Sequence, residues 1–244
     1  QKSTWEKSKN SKSIALGVIN LEISALKLLK KFINKNFDKA VNAIVNCQSK
    51  IILCGVGKSG LIASKIASTM SSVGSPSFSL SANDCLHGDL GSISKKDLLI
   101  IISNSGKSKE LLPIIKFANR NKIKLIGIVS KKNSSLYKGS DITILLPEVK
   151  EAGLGIVPTS STSIQLAIGD ALAVAALNKK KFNKYDFSKF HPGGNLGKEL
   201  KTVEDLMVIK NKIPFINENK NLLNAIKTIT SKRLGVLIAK NKKG

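Results

Sequence analysis

The sequence IILCGVGKSG, residues 51–60, decides the fold, because a short apolar run ends abruptly in a glycine-rich turn. The residues that follow, 61–67, carry apolar side chains at helical spacing. This order predicts a buried strand, a tight loop and the N-terminus of a helix. Such a loop offers backbone N–H groups and the positive end of a helix dipole to an anion, and Lys58 adds a full positive charge. The stretch is therefore a candidate phosphate-binding loop.

Two nucleotide-binding motifs resemble this loop but fit it poorly. A Walker loop requires a glycine five positions before Gly57, where this chain has Ile52. A dinucleotide fingerprint matches the spacing of the three glycines, but it also requires a carboxylate at the end of the next strand. The next predicted strand, 77–80, is followed by no carboxylate before Asp84. The sequence therefore favours a phosphate that does not belong to a nucleotide.

The length and charge of the chain limit the number of domains and the kinds of partner that it can have. The chain has 244 residues, 42% of them hydrophobic, which is enough for one substantial α/β domain and a small appendage. Its net charge is +24, but Arg120 and Arg233 are its only arginines, and arginine is the residue that binds phosphates and guanine bidentately. We therefore interpret the charge as lysine scattered over the surface, and we expect no nucleic-acid partner.

The sequence predicts neither a membrane span nor a secretion signal. Apolar runs such as 98–102 are far too short to cross a bilayer, and the N-terminus lacks the apolar core of a signal peptide. The three cysteines, Cys47, Cys54 and Cys85, form no CxxC pair and indicate free thiols in a reducing compartment. We expect a cytoplasmic protein without a membrane partner.

Strand and helix patterns alternate from residue 51 onward. Strands are predicted at 51–54, 77–80, 98–102, 124–129 and 141–146, and helices at 59–73, 108–120, 134–139 and 161–178. Two amphipathic helices, 13–34 and 37–47, precede them. The alternation predicts an α/β fold, a three-layer α-β-α sandwich around a five-stranded parallel sheet with a helical N-terminal lead-in. Ligands of such sheets bind beyond the carboxyl ends of the strands, near the switch in strand order.

Three polar segments are expected at that edge of the sheet. They are the loop at 55–60, the sequence SNSGKS at 103–108 after the third strand, and the sequence TSSTS at 159–163 at the start of the last long helix. Serine and threonine at a helix start are usually only N-caps. Together, however, hydroxyl and backbone N–H groups at helix N-termini suit a phosphate monoester and require no magnesium.

The motifs of residues 45–200 resemble those of the sugar isomerase (SIS) domain family, and most closely its arabinose 5-phosphate isomerases. The matching segments occur in order; they are GVGKSG at 55–60, LHGDLG at 86–91, ISNSG at 102–106, KEA at 150–152, PTSST at 158–162, GDALA at 169–173 and HPGG at 191–194. The resemblance implies interconversion of D-arabinose 5-phosphate and D-ribulose 5-phosphate, which feeds synthesis of the lipopolysaccharide sugar Kdo. It also implies homotetramers whose active sites are shared between subunits.

The resemblance also implies which residues form the site. Carried over by motif, the catalytic positions are Lys58, Glu110, Glu151 and His191. The substrate-binding positions are Gly57, Ser59, Gly74, Ser75, His87, Ser103, Ser105, Ser108, Thr159 and Ser160. Ser81 stands where relatives have a histidine associated with zinc. We therefore expect no metal and no other cofactor.

Aldose–ketose isomerisation requires these residue types. Moving a carbonyl between C1 and C2 needs a base that takes a proton from carbon, an acid that serves the two oxygens, and a positive charge near the enediolate. Lys58 would supply the charge, Glu110 or Glu151 the base, and His87 or His191 the proton transfer at oxygen or the opening of the sugar ring. Glu110 also has a structural explanation, because it falls in the first turn of its predicted helix. Glu151 lies in a loop with no evident capping role.

Residues 200–244 differ in character from residues 1–199, which we assign to the SIS domain. The sequences TVEDLM at 202–207 and KRLGVLI at 232–238 resemble the first half of a CBS motif. Half a motif predicts an uncovered apolar surface and an unpaired edge strand. Two other functions stay open: a non-catalytic phosphosugar-binding regulatory module, and an isomerase of another phosphosugar.

Overall fold

The computed structural model describes residues 10–191 and 202–241. The chain divides into two compact units, and Phe190 is the last residue of the first. The helices of the first unit are α1 (Ser11–Leu29), α2 (Lys35–Val45), α3 (Lys58–Ser72), α4 (Leu111–Arg120), α5 (Ser135–Gly139), α6 (Gly153–Ile156), α7 (Ser160–Lys179) and α8 (Lys184–Phe190). Its strands are β1 (Ile51–Gly55), β2 (Ser77–Ser81), β3 (Leu98–Ser103), β4 (Lys124–Val129) and β5 (Ile142–Leu145).

The five strands form one parallel sheet in the order β2-β1-β3-β4-β5. The predicted five-stranded parallel sheet is therefore confirmed. β2 lies next to β1 on one side, and β3 lies next to β1 on the other. The direction in which the chain adds strands therefore reverses at β1. In open α/β sheets, ligands bind beyond the carboxyl ends of the strands at such a switch.

Helices cover both faces of the sheet, which explains why the central strands are continuous apolar runs. Every residue of β1 and β3 is buried. Alternate residues point to opposite faces. Ile51 and Leu53 pack in the core that includes α1, α2, α3 and α7, whereas Ile52 and Cys54 pack in the core that includes α4 and α5. The predicted three-layer sandwich with a helical lead-in is confirmed.

Two helix boundaries differ from the predicted ones by three residues or more. The predicted helix 13–34 ends at Leu29 and continues only as a short 3-10 turn. The predicted helix 108–120 begins at Leu111, because Pro113 lacks the N–H group that a longer helix would need at this position. Glu110 therefore precedes α4, and the prediction that it lies in the first turn is wrong.

Among the described residues, α7 is the one helix that is long and apolar enough to cross a membrane. Half of its apolar window is buried inside the fold. Its residues Ile164, Ile168 and Leu172 belong to the core between the sheet and the helices that cover it. This helix is therefore a core element of the first unit.

The second unit contains α9 (Val203–Leu206), β6 (Phe215–Asn217), α10 (Leu222–Lys232) and β7 (Ile238–Lys240). β6 and β7 pair in parallel. Leu222, Leu223 and Ile226 on α10 are exposed, so an apolar face of this helix is uncovered within the described unit. The assignment of residues 200–244 to half a CBS motif stays a prediction. Its predicted boundary at 199/200 lies outside the described residues, as do the last three residues of the HPGG motif.

A buried carboxylate ties β1 to β3 at the amino edge of the sheet. The Asp97 side chain accepts hydrogen bonds from the backbone N–H groups of Lys50 at 3.4 Å and Ser94 at 2.6 Å. It also pairs with the Lys50 ammonium group at 2.9 Å. Burial alone would raise the pKa of Asp97, but hydrogen bonds from Lys50, Ser94 and Ser49 lower the pKa to about 2.

Asp97→Asn should lower the free energy of unfolding by about 2–3 kcal/mol at neutral pH, because Lys50 loses its charged partner. The folded pKa lies below the ordinary value of 3.8, so the carboxylate stabilises the fold above about pH 4 and loses this effect as the pH falls towards 2. Thermal unfolding should therefore show a difference in Tm between wild type and variant that shrinks across this range.

A matched control for this prediction is Glu148→Gln, which breaks the exposed ion pair of Glu148 with Lys131. Exposed pairs contribute little, so this variant should cost under about 0.5 kcal/mol. If the Tm difference between wild type and Asp97→Asn were the same at pH 7 and pH 3, the assigned role of the Asp97 charge would be wrong.

Candidate active site

The loop after β1 packs closely on itself, and both of its ends require glycine. A Cβ atom on Gly55 would lie 2.8 Å from backbone atoms of Ser59, and a Cβ atom on Gly60 would lie 2.9 Å from the Gly55 carbonyl oxygen. Between them, Gly57 precedes α3 with a φ of +57°, and the space where its side chain would stand is open. The first N–H groups of α3 therefore begin beside open space, as an anion site requires.

Close packing of α7 on α3 brings their N-termini together. Gly169 of α7 touches the Ile66 side chain of α3 so closely that a Cβ atom would overlap with it. Lys65 and Asp170 form an ion pair beside this contact. Lys180, directly after α7, contacts Gly74 and Ser75, just after α3, so the two helices run in the same direction and both begin at the carboxyl edge of the sheet.

Glu151 holds the start of α7. Its Oε2 atom accepts hydrogen bonds from the Thr159 N–H at 2.8 Å, the Thr159 hydroxyl at 3.1 Å and the Ser161 N–H at 3.3 Å. The expectation that Glu151 has no capping role is therefore wrong. The chain reverses direction across residues 152–157, where Ala152 pairs with Val157, and this reversal returns Glu151 to the helix.

The hydrogen bonds to Glu151 also set its charge. Burial alone would raise the pKa of Glu151, but hydrogen bonds from Ser161 and Thr159 lower the pKa below its ordinary value. The carboxylate is thus ionised at neutral pH and faces the positive end of the α7 dipole. Lys58 is the first residue of α3, the helix that packs against α7.

The start of α7 carries hydrogen-bonding groups that the described chain does not use. Ser160 is fully buried, and its hydroxyl has no hydrogen-bond partner among residues 10–191 and 202–241. The same holds for the side-chain amide of Gln165, just over one turn later. Buried polar groups are normally paired, so these two groups distinguish the first turns of α7 from the rest of the core.

The loop after β3 is braced by the end of β4. The Ser103 hydroxyl accepts a hydrogen bond from the Gly106 N–H at 3.0 Å. The Ser130 hydroxyl donates to the side-chain oxygen of Asn104 at 2.7 Å, and the Ser130 N–H donates to the Asn104 carbonyl at 3.2 Å. The shape of this loop is therefore fixed by its own turn and by the neighbouring strand.

Most of the predicted site residues lie at the carboxyl edge of the sheet or in the segments that follow it. They are Gly57, Lys58, Ser59, His87, Ser103, Ser105, Ser108, Glu110, Glu151, Thr159 and Ser160. Lys58 and His87 are exposed, and Glu110 is half-buried. The side chains of Lys58 and Glu110 make no hydrogen bond or ion pair with other described residues. His191 is half-buried and is the first residue of the second unit.

Gly74 and Ser75 lie at the opposite, amino edge of the sheet, where they connect α3 to β2. The Lys180 ammonium group donates to the Gly74 carbonyl at 3.0 Å and to the Ser75 hydroxyl at 2.8 Å. Burial lowers the pKa of Lys180. Within one chain, these two residues join α7 to the sheet and are not brought together with the other predicted site residues. Their contact with a substrate stays a prediction.

A cleft of about 430 Å³ opens between the carboxyl ends of β1 and β2. Its lining residues are Gly55, Val56, Gly57, Gly60, Leu61, Ser64, Ser79, Leu80, Ser81, Ala82, Asn83, Asp84 and Asp89. Of the predicted site residues, Gly57 alone belongs to this set. The alternation in SFSLS, residues 77–81, was the signal that could have found Ser79 and Ser81, since it places both hydroxyls on one face of β2.

No three His, Cys, Asp or Glu side chains are grouped as metal ligands within the described ranges 10–191 and 202–241. Asp84, Cys85 and His87 are neighbours in sequence, but Cys85 is buried in the core. Burial, together with the charges of Asp89 and Asp84, raises the pKa of the Cys85 thiol to about 11. The thiol is therefore protonated near neutral pH.

Comparison with known proteins identifies the family. The SIS domain model matches residues 44–175. The chain belongs to the SIS-domain family. This confirms the resemblance that the motifs indicated.

Relatives of this SIS-domain chain include named isomerases. It is 40% identical over 223 residues to the arabinose 5-phosphate isomerase KdsD of Yersinia pestis, covering 91% of this chain and 68% of that one. It is 39% identical over 233 residues to an uncharacterized protein of Rickettsia prowazekii, covering 96% of this chain and 73% of that one. An Escherichia coli CFT073 protein solved in complex with arabinose 5-phosphate superposes with a TM-score of 0.72 at 35% identity, covering 76% of this chain and 100% of that one.

Glu151→Gln should lower the free energy of unfolding by about 1 kcal/mol, because the amide keeps the shape but loses the negative charge at the start of α7. Glu110→Gln is the matched control, since Glu110 makes no side-chain capping bond at α4. Thermal unfolding at neutral pH measures both changes. Equal losses of stability in the two variants would contradict the capping role of Glu151.

Proposed function

We propose that this SIS-domain chain is an arabinose 5-phosphate isomerase, which interconverts D-arabinose 5-phosphate and D-ribulose 5-phosphate through an enediolate. The observation that carries the proposal is that α3, which begins at Lys58, packs against α7, whose start is capped by the Glu151 carboxylate. The KdsD relatives support the choice of reaction, and the solved complex with arabinose 5-phosphate supports the choice of sugar. In this proposal the enzyme acts in the cytoplasm and feeds Kdo synthesis.

The proposed phosphate site combines two loops at the switch in strand order. The loop after β1 contributes the N–H groups at the start of α3, and the loop after β3 contributes Ser103, Ser105 and Ser108. N–H and hydroxyl groups at such positions bind phosphate oxygens without a metal ion. The rest of a five-carbon sugar would then extend along the carboxyl edge towards Lys58 and the start of α7.

Lys58 and the two histidines would take two chemical roles. Lys58 is exposed and unpaired among the described residues, so its ammonium group is available to stabilise the enediolate. His87 or His191 would move protons between the two oxygens or open the sugar ring. Catalysis is assigned to residues 1–199, and residues 200–244 are assigned to an incomplete CBS motif.

Two carboxylates are candidates for the base that takes the proton from C2. The lowered pKa of Glu151 makes it a weaker base than an ordinary glutamate in the free protein. Glu110 is half-buried and makes no side-chain hydrogen bond or ion pair with described residues. Exchange of the C2 hydrogen with solvent deuterium assigns the role, because it is lost in the Gln variant of the true base while the substrate still binds.

We also propose that the protein is a homotetramer with shared active sites. Leu16, Ile19, Ile23 and Leu26 of α1 are exposed at helical spacing, which forms an apolar stripe suited to another helix. The exposure of this stripe in one chain supports association, since contiguous apolar surface marks interaction sites. This is consistent with the placement of Gly74 and Ser75 away from the other predicted site residues of the same chain.

Purified protein should interconvert the two pentose phosphates without added nucleotide or metal, in an assay that compares pentose and hexose 5- and 6-phosphates. Lys58→Ala should reduce kcat by a factor of at least about 100, since one well-placed electrostatic donor contributes roughly 3–4 kcal/mol. Lys116→Ala, which removes an exposed lysine from α4, is the matched control and should leave kcat unchanged. Tight binding of a phosphosugar without turnover would instead favour a regulatory module.

Mixing two inactive variants tests the shared site. Lys58→Ala and His191→Ala chains should regain partial activity after subunit exchange, because some mixed assemblies would contain one intact site. A size measurement confirms that the assemblies form, and native mass spectrometry with one variant isotopically labelled confirms that subunits exchange. If exchange occurs and activity does not return, the chemistry comes from one chain and the shared-site proposal is wrong.

A further inference from the structure

The short helical turn α6, Gly153–Ile156, exposes apolar side chains beside the candidate site. Ile156 is 74% exposed and Leu154 is 68% exposed. Together with Leu61, which is 70% exposed, they are the three most exposed large apolar side chains among residues 10–190. Exposed apolar surface of this kind marks places that are covered when the protein works. The positions of these side chains in the fold indicate what covers them.

All three side chains lie at the carboxyl edge of the sheet. Leu61 belongs to the first turn of α3 and lines the cleft between β1 and β2. The turn α6 lies between Glu151 and the start of α7. Because α3 packs against α7 and both begin at this edge, Leu61 and α6 lie at the same end of the helix pair. One apolar group thus lies next to the glycine loop, and the other lies next to Glu151.

The two ends of α6 are attached to the fold, whereas the turn itself is held weakly. Ala152 pairs with Val157, and the Ala152 N–H donates to the Thr159 hydroxyl at 3.0 Å. Residues 153–156 make no hydrogen bond to any other helix or strand that the structure describes. Segments with so few bonds to the rest of a domain open and close at low free-energy cost. The turn can therefore move while its base stays attached to the start of α7.

The backbone of α6 has the features of a hinge. Gly153, Leu154 and Gly155 have successive φ values of 53°, 63° and 74°. Glycine adopts this left-handed region easily but leucine does not, so Leu154 is held in a strained conformation. Strain of this kind is common in segments that switch between two states, and flanking glycines absorb the change in backbone angles. These features suit a turn that adopts a second conformation when substrate binds.

We propose that Leu154 and Ile156 are further residues of the active site, which close over the bound sugar phosphate, pack against Leu61 and exclude water from the enediolate. The inference rests on the proposed function, because it assigns a role in the same reaction. Water exclusion strengthens the electrostatic stabilisation of the enediolate and prevents side reactions of this intermediate. Burial already acts to raise the pKa of Glu151, and closure would strengthen this effect and make the carboxylate a better base.

Asparagine substitutions test the covering role. Asparagine tolerates positive φ and is close to leucine in size, so Leu154→Asn keeps the turn and removes its apolar surface. Leu154→Asn and Ile156→Asn should each lower kcat by at least about tenfold, with KM within about threefold of wild type, because water then reaches the enediolate. Leu154→Met keeps the apolar surface and should retain kcat within about threefold. Val174→Asn, at an exposed apolar position of α7, is the matched control and should change neither constant.

Cross-linking tests the closure directly. Leu61→Cys and Leu154→Cys are combined with Cys47→Ser, since the other two cysteines, Cys54 and Cys85, are buried. A short bifunctional thiol reagent should join positions 61 and 154 of one chain at least about fivefold faster when arabinose 5-phosphate is present at saturation, because the ligand favours the closed state. An unchanged rate would overturn the proposal. A cross-linked dimer on a denaturing gel would also overturn it, because a second copy of the chain would then cover α6.

Two further measurements separate this inference from its alternatives. If sedimentation shows that Leu154→Asn loses activity because the assembly dissociates, α6 is an interface between copies and the proposal is wrong. If the wild type binds arabinose 5-phosphate without turning it over, the isomerase assignment fails, and faster cross-linking with bound sugar still supports closure of α6. If the wild type is an active isomerase and both asparagine variants keep kcat, only the role of Leu154 and Ile156 is wrong. Thermal unfolding confirms that every variant is folded under the assay conditions.

Discussion

The close contact of Gly169 with Ile66 is the constraint on which the candidate site depends. It allows α7 to pack against α3 in the same direction, so that both helices begin at the same edge of the sheet. Two helix N-termini at close range bring two positive dipole ends together, which is unfavourable without a compensating anion. Glu151 supplies a permanent negative charge at this place, and a bound phosphate would supply another. The same contact therefore creates the anion site and the need for the carboxylate.

The alternation of side chains allowed the fold to be predicted from local sequence. Ile51 and Leu53 face one helical layer and Ile52 faces the other, so a strand buried on both faces appears as a continuous apolar run followed by glycine. Helix boundaries were less predictable, and α4 shows why. Pro113 prevents α4 from starting earlier than Leu111. The polar residues before it, however, also match the pattern of a helix N-cap, which placed the predicted start too early.

The geometry of the site was only partly predictable, because it depends on contacts between residues far apart or in irregular turns. Motifs identified Glu151, but its capping role arises from a reversal that contains Leu154 at a φ of 63°. Such a backbone conformation is uncommon outside glycine and leaves no regular pattern in the sequence. The sequence did not indicate a role for Ser130 for a similar reason, because Ser130 lies 26 residues from Asn104, to which its hydroxyl donates a hydrogen bond. A resemblance in sequence also does not show at which edge of the sheet a residue lies. Gly74 and Ser75 were predicted to bind substrate, but they lie at the amino edge, opposite the other predicted site residues.

The complete burial of β1 and β3 determines which backbone amides can exchange with solvent by local unfolding. Backbone amides in such strands exchange with solvent hydrogen only when the whole domain unfolds, whereas amides in loops exchange through small local openings. The glycine loop begins directly where β1 ends, so protection against exchange should fall steeply within a few residues of Gly55. The loops at this edge can therefore open locally while the buried strands keep the domain folded.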